Sequence, residues 1–306
     1  MKKFTNALSV FLALIVALCL GANAFAVAIE PARKSSLTLQ YKQGETCFGG
    51  VEIKTYRVAE VFEDGTYALC GDFADYPINI YGITSQTEWR GVTSALASYA
   101  VADSLSPTRI GTTDDSGMVK FSDILPGMYL TLSVRIETQE EIAIFESFLT
   151  VIPSPSDSRE HNYDVTAYPK CEKYTPKPDP IEYKVVKQWQ DNGHTEKRPD
   201  YIEVDIIKNG EIQYTERLSS SDNWSYSWQA EDDGSEWQAI ERNIPSDYTV
   251  SIVKNGNIIT ITNICEAPVN PPPTGDTTVI WHYVLILCLS GAVILVFAAC
   301  RKRAER

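Results

Sequence analysis

The order of apolar and polar positions predicts a chain built mainly from short strands. Runs rich in β-branched and aromatic residues alternate with turn residues, which is typical of strands. In the first half these runs are 36–41, 50–61, 67–69, 119–121, 129–136, 142–152 and 163–168. In the second half they are 201–208, 211–217, 224–228, 247–254 and 257–264, with Asn209-Gly210 and Asn255-Gly256 as hairpin turns. Repeated short strands without alternating helices indicate two Ig-like β-sandwich domains, residues 31–170 and 182–265.

One helix is predicted inside the first domain. Ser85 and Glu88 have the spacing of a capping box, and the apolar residues that follow share one helical face: Trp89, Val92, Leu96 and Tyr99. Three prolines fall between the two domains, so we expect residues 171–181 to be an interdomain linker.

The N-terminus has the pattern of a secretory signal peptide, residues 1–26. Lys2 and Lys3 precede an apolar run over residues 7–20, and small residues follow at Ala22, Ala24 and Ala26. Cleavage after Ala24 or after Ala26 fits equally well. The alternative is an uncleaved membrane anchor, for which the run is short.

The C-terminus predicts a proline-rich stalk (266–278), a transmembrane helix (279–300) and a basic tail (301–306). A helix of that length spans about 33 Å, enough to cross a bilayer with the tail on the cytoplasmic side. The stalk contains Pro271, Pro272, Pro273, Thr274 and Gly275, which resembles the Leu-Pro-x-Thr-Gly cell-wall sorting signal with proline in place of leucine. The resemblance implies that a sortase cuts between Thr274 and Gly275 and joins Thr274 to an amine at the surface of a Gram-positive-type cell. A plain membrane anchor is the alternative.

Charge and cysteine content exclude several classes of site. Without the two ends, residues 27–274 hold 21 basic and 38 acidic residues, a net charge of −17, which disfavours nucleic-acid partners. Cysteine pairs lack metal-ligand spacing and only His161 and His194 remain, so neither a metal nor a cofactor is expected. Export permits disulfides among four cysteines, either as Cys47–Cys70 with Cys171–Cys265 or in another pairing, and free thiols are the alternative.

Three separated motifs mark the second domain. Val186-Lys187-x-Trp189 begins its first strand, Arg198-Pro199 precedes its second, and Ile261-Thr262-Asn263 closes its last. In this order they resemble a Cna protein B-type domain over its full length. The family forms an internal isopeptide bond, which implies that Lys187 is the nucleophile, Asn263 the electrophile and Glu241 the assisting acid. Burial favours the neutral lysine and protonated glutamate that this reaction needs. The usual Tyr-Thr-Val-x-Glu around the acid reads Trp-Gln-Ala-Ile-Glu here. The alternative is an exposed Lys187, a surface Glu241 and an Asn263 that merely ends a strand.

Two segments of the first domain are distinctive: the one that begins at Gly49-Gly50 and runs to Ala59, and the closing sequence HNYDVTAYPK. The segment from Gly49 resembles the opening of the N-terminal domain of sortase-assembled pilins. The pilin motif W-x-x-x-V-x-V-Y-P-K aligns with His161 at tryptophan and Ala167 at the second valine, while Tyr168, Pro169 and Lys170 are identical. The resemblance implies that Lys170 accepts the C-terminal threonine of the next subunit. A solvated lysine at a strand end is the alternative.

These expectations combine into a structural protein of the cell wall and surface. The first hypothesis is a sortase-assembled pilin subunit whose partners are a sortase and either related pilin subunits or peptidoglycan, with membrane insertion before processing. The second is a monomeric wall-anchored adhesin for a host or matrix ligand, with the crosslinked domain as its stalk. A wall-anchored enzyme is disfavoured because the chain contains no G-x-S-x-G motif and few histidines.

Overall fold

The structure, a computed structural model, describes residues 28–137, 141–155 and 160–265, which all belong to one compact unit. Over these residues it confirms a mainly β fold. The first half holds β1 (Ser35–Gln40), β2 (Lys42–Gln43), β3 (Thr46–Cys47), β4 (Glu52–Val61), β5 (Tyr67–Leu69), α1 (Gln86–Ala102), β6 (Arg109–Thr112), β7 (Met118–Ile124), β8 (Gly127–Thr131), β9 (Val134–Glu137), β10 (Ile142–Phe145), β11 (Phe148–Ile152), β12 (Asp164–Ala167) and β13 (Cys171–Tyr174). The second half holds β14 (Lys177–Gln190), β15 (Tyr201–Lys208), β16 (Glu211–Ser219), β17 (Ser225–Asp232), β18 (Trp237–Arg242), β19 (Thr249–Asn255) and β20 (Ile258–Ile264). Three short 3-10 helices cover Gly71–Phe73, Thr195–Lys197 and Ser220–Asp222.

The predicted signal peptide, stalk, membrane helix and basic tail lie outside the described residues. Among the residues that are described, no helix is long and apolar enough to span a bilayer.

Three main sheets form the first half. β1 lies between β12, which runs parallel to it, and β7, which runs antiparallel. A second sheet has the order β11-β8-β4-β5, with β6 also paired to β4, and a third has the order β13-β10-β9. Leu37 and Leu39 of β1 are fully buried against Phe145 and Tyr129, so alternate residues of these strands form the core.

Two predicted strands are each divided in the structure. The run 129–136 becomes β8 and β9, and the run 142–152 becomes β10 and β11; in each case the two parts join different sheets. Both breaks occur where the backbone N–H of Ser133 donates to Ser147 Oγ at 2.9 Å. This side-chain bond replaces a backbone ladder bond, so both strands change sheet at the same place.

The segment predicted as a linker is paired strand instead. Cys171 in β13 pairs with Phe145 in β10, and Lys177 in β14 pairs with Asp232 in β17. β20 pairs with β14 only from Lys184 onward, so the proline-containing start of β14 has a strand neighbour on one side only. An edge position of this kind tolerates proline, which has no N–H to donate. The division of the chain at 171–181 into two domains stays a prediction.

The second half is a sandwich of two sheets. The sheet β17-β14-β20-β19 packs against the sheet β16-β15-β18, and β14 runs parallel to β20. Asn209 and Gly210 both have positive φ and join β15 to β16, as the sequence predicts for a two-residue hairpin. The β19–β20 hairpin turns at Gly256-Asn257, one residue later than predicted, since Asn255 pairs with Ile258.

α1 begins with the predicted capping box and joins the two halves of the chain. Ser85 Oγ accepts from the N–H of Glu88, and Glu88 Oε2 accepts from the N–H of Ser85 at 2.8 Å. The helix packs on β18 and β19 of the sandwich, and its Val92 and Leu96 belong to one core with Met128 of β8 and Ile252 of β19.

Gly91 allows α1 to approach β19 closely. A Cβ atom there would clash with Ser251 Oγ and lie 3.6 Å from Val253 Cγ2. We therefore expect Gly91→Leu to lower the free energy of unfolding by about 1–3 kcal/mol, the usual effect of overpacking, even though leucine favours helix. Thr87→Leu, one turn earlier at an exposed position, is the control. Urea unfolding measures the free energy of unfolding of both variants. Equal values for Gly91→Leu and Thr87→Leu would contradict the close packing of α1 on β19.

Candidate intramolecular crosslink site

Lys187 and Asn263 lie on neighbouring strands and face the interior of the sandwich together. Parallel pairing of β14 with β20 places Lys187 opposite Ile261 and Trp189 opposite Asn263. Side chains two residues apart point to the same face of a sheet, so the amine and the amide are directed into one space. Lys187 is 4% exposed and Asn263 is fully buried.

Glu241 reaches the same space from the opposite sheet. It lies in β18, where it pairs with Val204 of β15 and is 1% exposed. Its Oε1 accepts a hydrogen bond from Asn263 Nδ2 at 2.9 Å, and its Oε2 lies 3.5 Å from Lys187 Nζ. The structure thus brings together the three residues that the sequence assigns to the crosslink.

The strand that carries Glu241 is fixed by an ion-pair bridge. Arg242 Nε donates to Asp205 Oδ2 at 2.6 Å, and Arg242 Nη1 donates to Asp103 Oδ1 at 2.5 Å. Asp205 belongs to β15 and Asp103 directly follows α1. β18 is therefore held both to its own sheet and to the helix of the first half.

Burial shifts the protonation of the Lys187–Glu241 pair toward the neutral forms. Desolvation lowers the pKa of Lys187 to about 8 even though the Glu241 carboxylate opposes the shift. Desolvation also raises the pKa of Glu241 above its ordinary value, against the opposing effects of Lys187 and Asn263. A neutral amine beside a protonated carboxyl group is the combination that nucleophilic attack on an amide needs.

Two buried oxygens of the site have no hydrogen-bond partner among the described residues. These are Glu241 Oε2 and Asn263 Oδ1. An orphaned polar atom in a core destabilises the fold, and such atoms concentrate where they serve chemistry. Lys187 Nζ is better satisfied, because it donates to the carbonyl oxygen of Gln188 at 2.9 Å.

An aromatic cluster with an ion pair closes the site at the end of β14. Lys187 Nζ lies 3.9 Å from the centroid of the Trp189 ring, and the Arg198 guanidinium lies 5.6 Å from the same centroid. Arg198 binds Asp191, whose side chain is 1% exposed. Trp189 and Arg198 both belong to the motifs that mark this domain in the sequence. Their contact with each other beside Lys187 could not be predicted, because it depends on how the 191–200 connection folds back.

Lys170 lies at the surface, apart from the crosslink site. It follows β12, its side chain is 75% exposed, and its Nζ lies 2.6 Å from Glu172 Oε1. Tyr168 in the same motif is 67% exposed, whereas Val165 is buried beside Leu37. The motif lysine is therefore accessible, and a neighbouring carboxylate keeps its amine protonated by raising its pKa.

The four cysteines of the described residues are unpaired in the structure, and the disulfide pairing stays a prediction. Cys47 is exposed, and the other three are half-buried: Cys70, Cys171 and Cys265. Burial raises the pKa of the Cys70 and Cys171 thiols. The proposed sortase site, residues 271–275, lies outside the described residues.

Comparison with known families identifies the sandwich that carries the crosslink site. Residues 183–264 match the family model of the Cna protein B-type domain. This part of the chain is a Cna B-type domain. The match runs from Tyr183 in β14 to Ile264 in β20, and it includes Lys187, Glu241 and Asn263.

Solved structures similar to the chain include a Cna B-type repeat and two pilins. The single B repeat unit (B1) of the collagen-binding surface protein Cna of Staphylococcus aureus is 16% identical, with 77% of this chain and 100% of that chain covered and a TM-score of 0.27. The shaft pilin SpaA from Lactobacillus rhamnosus GG is 14% identical, with coverage of 78% and 100% and a TM-score of 0.28. The full-length major pilin SpaD from Corynebacterium diphtheriae is 17% identical, with coverage of 78% and 66% and a TM-score of 0.30. Values this low carry no argument about the function of the chain. No curated protein matched it.

Proposed function

We propose that the Cna B-type domain crosslinks itself through an amide bond between Lys187 Nζ and Asn263 Cγ. One observation carries the proposal: amine, amide and carboxyl group meet in a fully buried space, with Glu241 in contact with both partners. Burying such a group of polar residues destabilises the fold, because each residue must be desolvated. An apolar core of the same volume is often more stable.

The reaction balances without any cofactor. Glu241 Oε2 takes a proton from Lys187, and the neutral amine attacks Cγ of Asn263. The new C–N bond forms at Cγ, and protonated Glu241 donates its proton to Nδ2, which leaves as ammonia when the Cγ–Nδ2 bond breaks. Glu241 then takes the surplus proton from the Lys187 nitrogen, which becomes the amide N–H. Glu241 Oε1 is already bonded to Nδ2, so the carboxyl group is in position for the transfer.

The crosslink would tie the first strand of the domain to its last. Lys187 and Asn263 are 76 positions apart, and a covalent closure of a loop this long stabilises a fold by about 4 kcal/mol on the chain-entropy model. Because β14 and β20 hold the two ends of the domain, a pulling force would pass through the new bond rather than through the hydrogen bonds of the sheet. These properties suit a structural protein that is stretched at a cell surface.

We further propose that the chain is a sortase-assembled pilin subunit, exported by residues 1–26 and cut between Thr274 and Gly275. The exposed amine of Lys170 supports this role, since an incoming acyl group must reach it from solvent. Glu172 raises the pKa of Lys170 above its ordinary value, so a sortase must remove a proton before the amine can attack.

Assembly is tested by substituting Lys170 in cells that carry a pilin sortase. We expect the wild-type chain to give a ladder of covalent oligomers that withstands boiling in detergent, and Lys170→Ala to give monomer alone. Lys173→Ala, three residues on and also ion-paired, should keep the ladder. Persistence of the ladder in Lys170→Ala would refute the assignment of this lysine. Monomer from the wild-type chain would instead favour the monomeric adhesin.

A further inference from the structure

The connection between β14 and β15 folds back over Lys187 through a buried carboxylate. Asp191 Oδ2 accepts from Arg198 Nε at 2.6 Å and from the Tyr248 hydroxyl at 3.2 Å, while its Oδ1 accepts from Arg198 Nη2 at 2.8 Å and from the Gly193 N–H at 3.2 Å. Two parallel bonds of this kind give a guanidinium group a fixed direction. Arg198 is consequently locked where its guanidinium faces Trp189.

Trp189 is held on several sides at once. Its ring meets Trp224 edge-on at 5.3 Å and Tyr248 edge-on at 5.3 Å, in addition to Arg198. The indole therefore cannot turn away from Lys187 Nζ without breaking several contacts. The indole covers part of the amine, since Lys187 Nζ lies 3.9 Å from its ring centroid and Lys187 is only 4% exposed.

Backbone strain marks the same place. Trp224 has a φ of 56°, a left-handed conformation that is unfavourable for a bulky residue. Its carbonyl oxygen accepts the backbone N–H of Lys187 at 2.8 Å, and its ring contacts Trp189. The fold thus maintains an unfavourable backbone conformation at the residue that touches both Lys187 and Trp189.

We propose that the Asp191–Arg198 ion pair is a positioning device for crosslink formation, which clamps Trp189 over the amine of Lys187 and balances the charge beside it. This inference rests on the proposed crosslink. Glu241 from β18 lies 3.5 Å from Lys187 Nζ, and among the described residues Arg198 and Asp191 of the 191–200 connection also act on the charge of the amine. Arg198 disfavours the ammonium form and Asp191 favours it, so the two effects oppose each other.

The rate of ammonia loss as a function of pH distinguishes this role from simple support of the fold. Substitutions of Arg198 and of Asp191 should shift that profile in opposite directions. The reactive pair must hold one proton between amine and carboxylate, so the rate of ammonia loss should be bell-shaped in pH. Arg198→Gln removes a positive charge and makes protons harder to remove, so both limbs of the profile should move to higher pH by about half a unit or more. Asp191→Asn should move both limbs to lower pH, and the double variant should return them close to the wild-type values.

The experiment uses residues 27–274 recovered from the insoluble fraction in urea and first checked to have their full, unlinked mass. The chain is then refolded by dilution at a series of pH values, quenched in acid and followed by intact mass. Arg217→Gln, which removes an exposed guanidinium paired with Glu203, is the control and should leave both limbs unchanged. Trp189→Phe should retain most of the rate and Trp189→Ala should reduce it at every pH, since phenylalanine still covers the amine. Circular dichroism checks that each variant has folded.

The possible results separate the two claims. The positioning role is overturned if the limbs of the pH profile stay at the wild-type pH in both single variants. It is also overturned if they shift in the same direction in both. Either result leaves the crosslink itself intact. A wild-type chain that keeps its full sequence mass after refolding at every pH would overturn the proposed crosslink and this inference with it.

Discussion

Under force, a Lys187→Met chain will extend by roughly 250 Å more than the wild-type chain when its Cna B-type domain is pulled from the two ends. With an amide bond between Lys187 and Asn263, the force bypasses the 76 positions between them and that segment is not extended. Without the bond, each residue of the segment adds about 3.3–3.6 Å. Methionine has a similar length and stays apolar in the buried site, so the sandwich still packs. Single-molecule force spectroscopy measures the extension directly.

Lys184→Met is the matched control for this experiment. Lys184 lies on the same strand, three residues earlier and therefore on the opposite face, where it is half-buried. The Lys184→Met chain should extend by the same distance as the wild-type chain. A long unfolding step in the wild-type domain would contradict a crosslink between β14 and β20.

Glu241→Gln will leave Lys187 and Asn263 unlinked over times in which the wild-type chain reacts completely. Glutamine keeps the size of the side chain but cannot take the proton of Lys187 or protonate the departing nitrogen. Loss of such an acid–base group slows a reaction by roughly 10² to 10⁴-fold. Intact mass followed after refolding gives the rate of ammonia loss in the wild-type chain and in Glu241→Gln.

Glu203→Gln is the control for the loss of a carboxylate. Glu203 lies on β15 and pairs with Arg217 at the surface, so its replacement should not alter the rate of crosslinking. Crosslinking of Glu241→Gln at the wild-type rate would show that the contact between Glu241 and Asn263 has no part in the chemistry.

The local features of the fold were predictable because their causes are local. The capping box of Ser85 and Glu88 and the hairpin at Asn209-Gly210 depend on residues a few positions apart, and the structure has both. The alternation of the second half likewise predicts its strands. The spacing between Lys187 and Asn263 says nothing of distance by itself, and it was the resemblance to the family that brought them together with Glu241.

Features that depend on distant parts of the chain were missed or misplaced. The prolines at 171–180 suggest a linker, but the strand partners Phe145 and Asp232 lie elsewhere in the sequence and make these residues strand. The amphipathic pattern of α1 shows a buried face without showing that β19 covers part of it through Gly91. The contacts of Trp189 with Lys187 and with Arg198 depend on tertiary structure, for which the sequence carries no periodic signal.

The intact mass of refolded residues 27–274 tests the central claim most directly. Crosslinking releases one ammonia, so we expect a mass about 17 Da below that calculated from the sequence, with a single branched peptide joining Lys187 to Asn263 after proteolysis. Asn263→Ala should have its full calculated mass, while Thr262→Ala, on the opposite face of β20, should keep the deficit. A wild-type chain at its full sequence mass would contradict the crosslink.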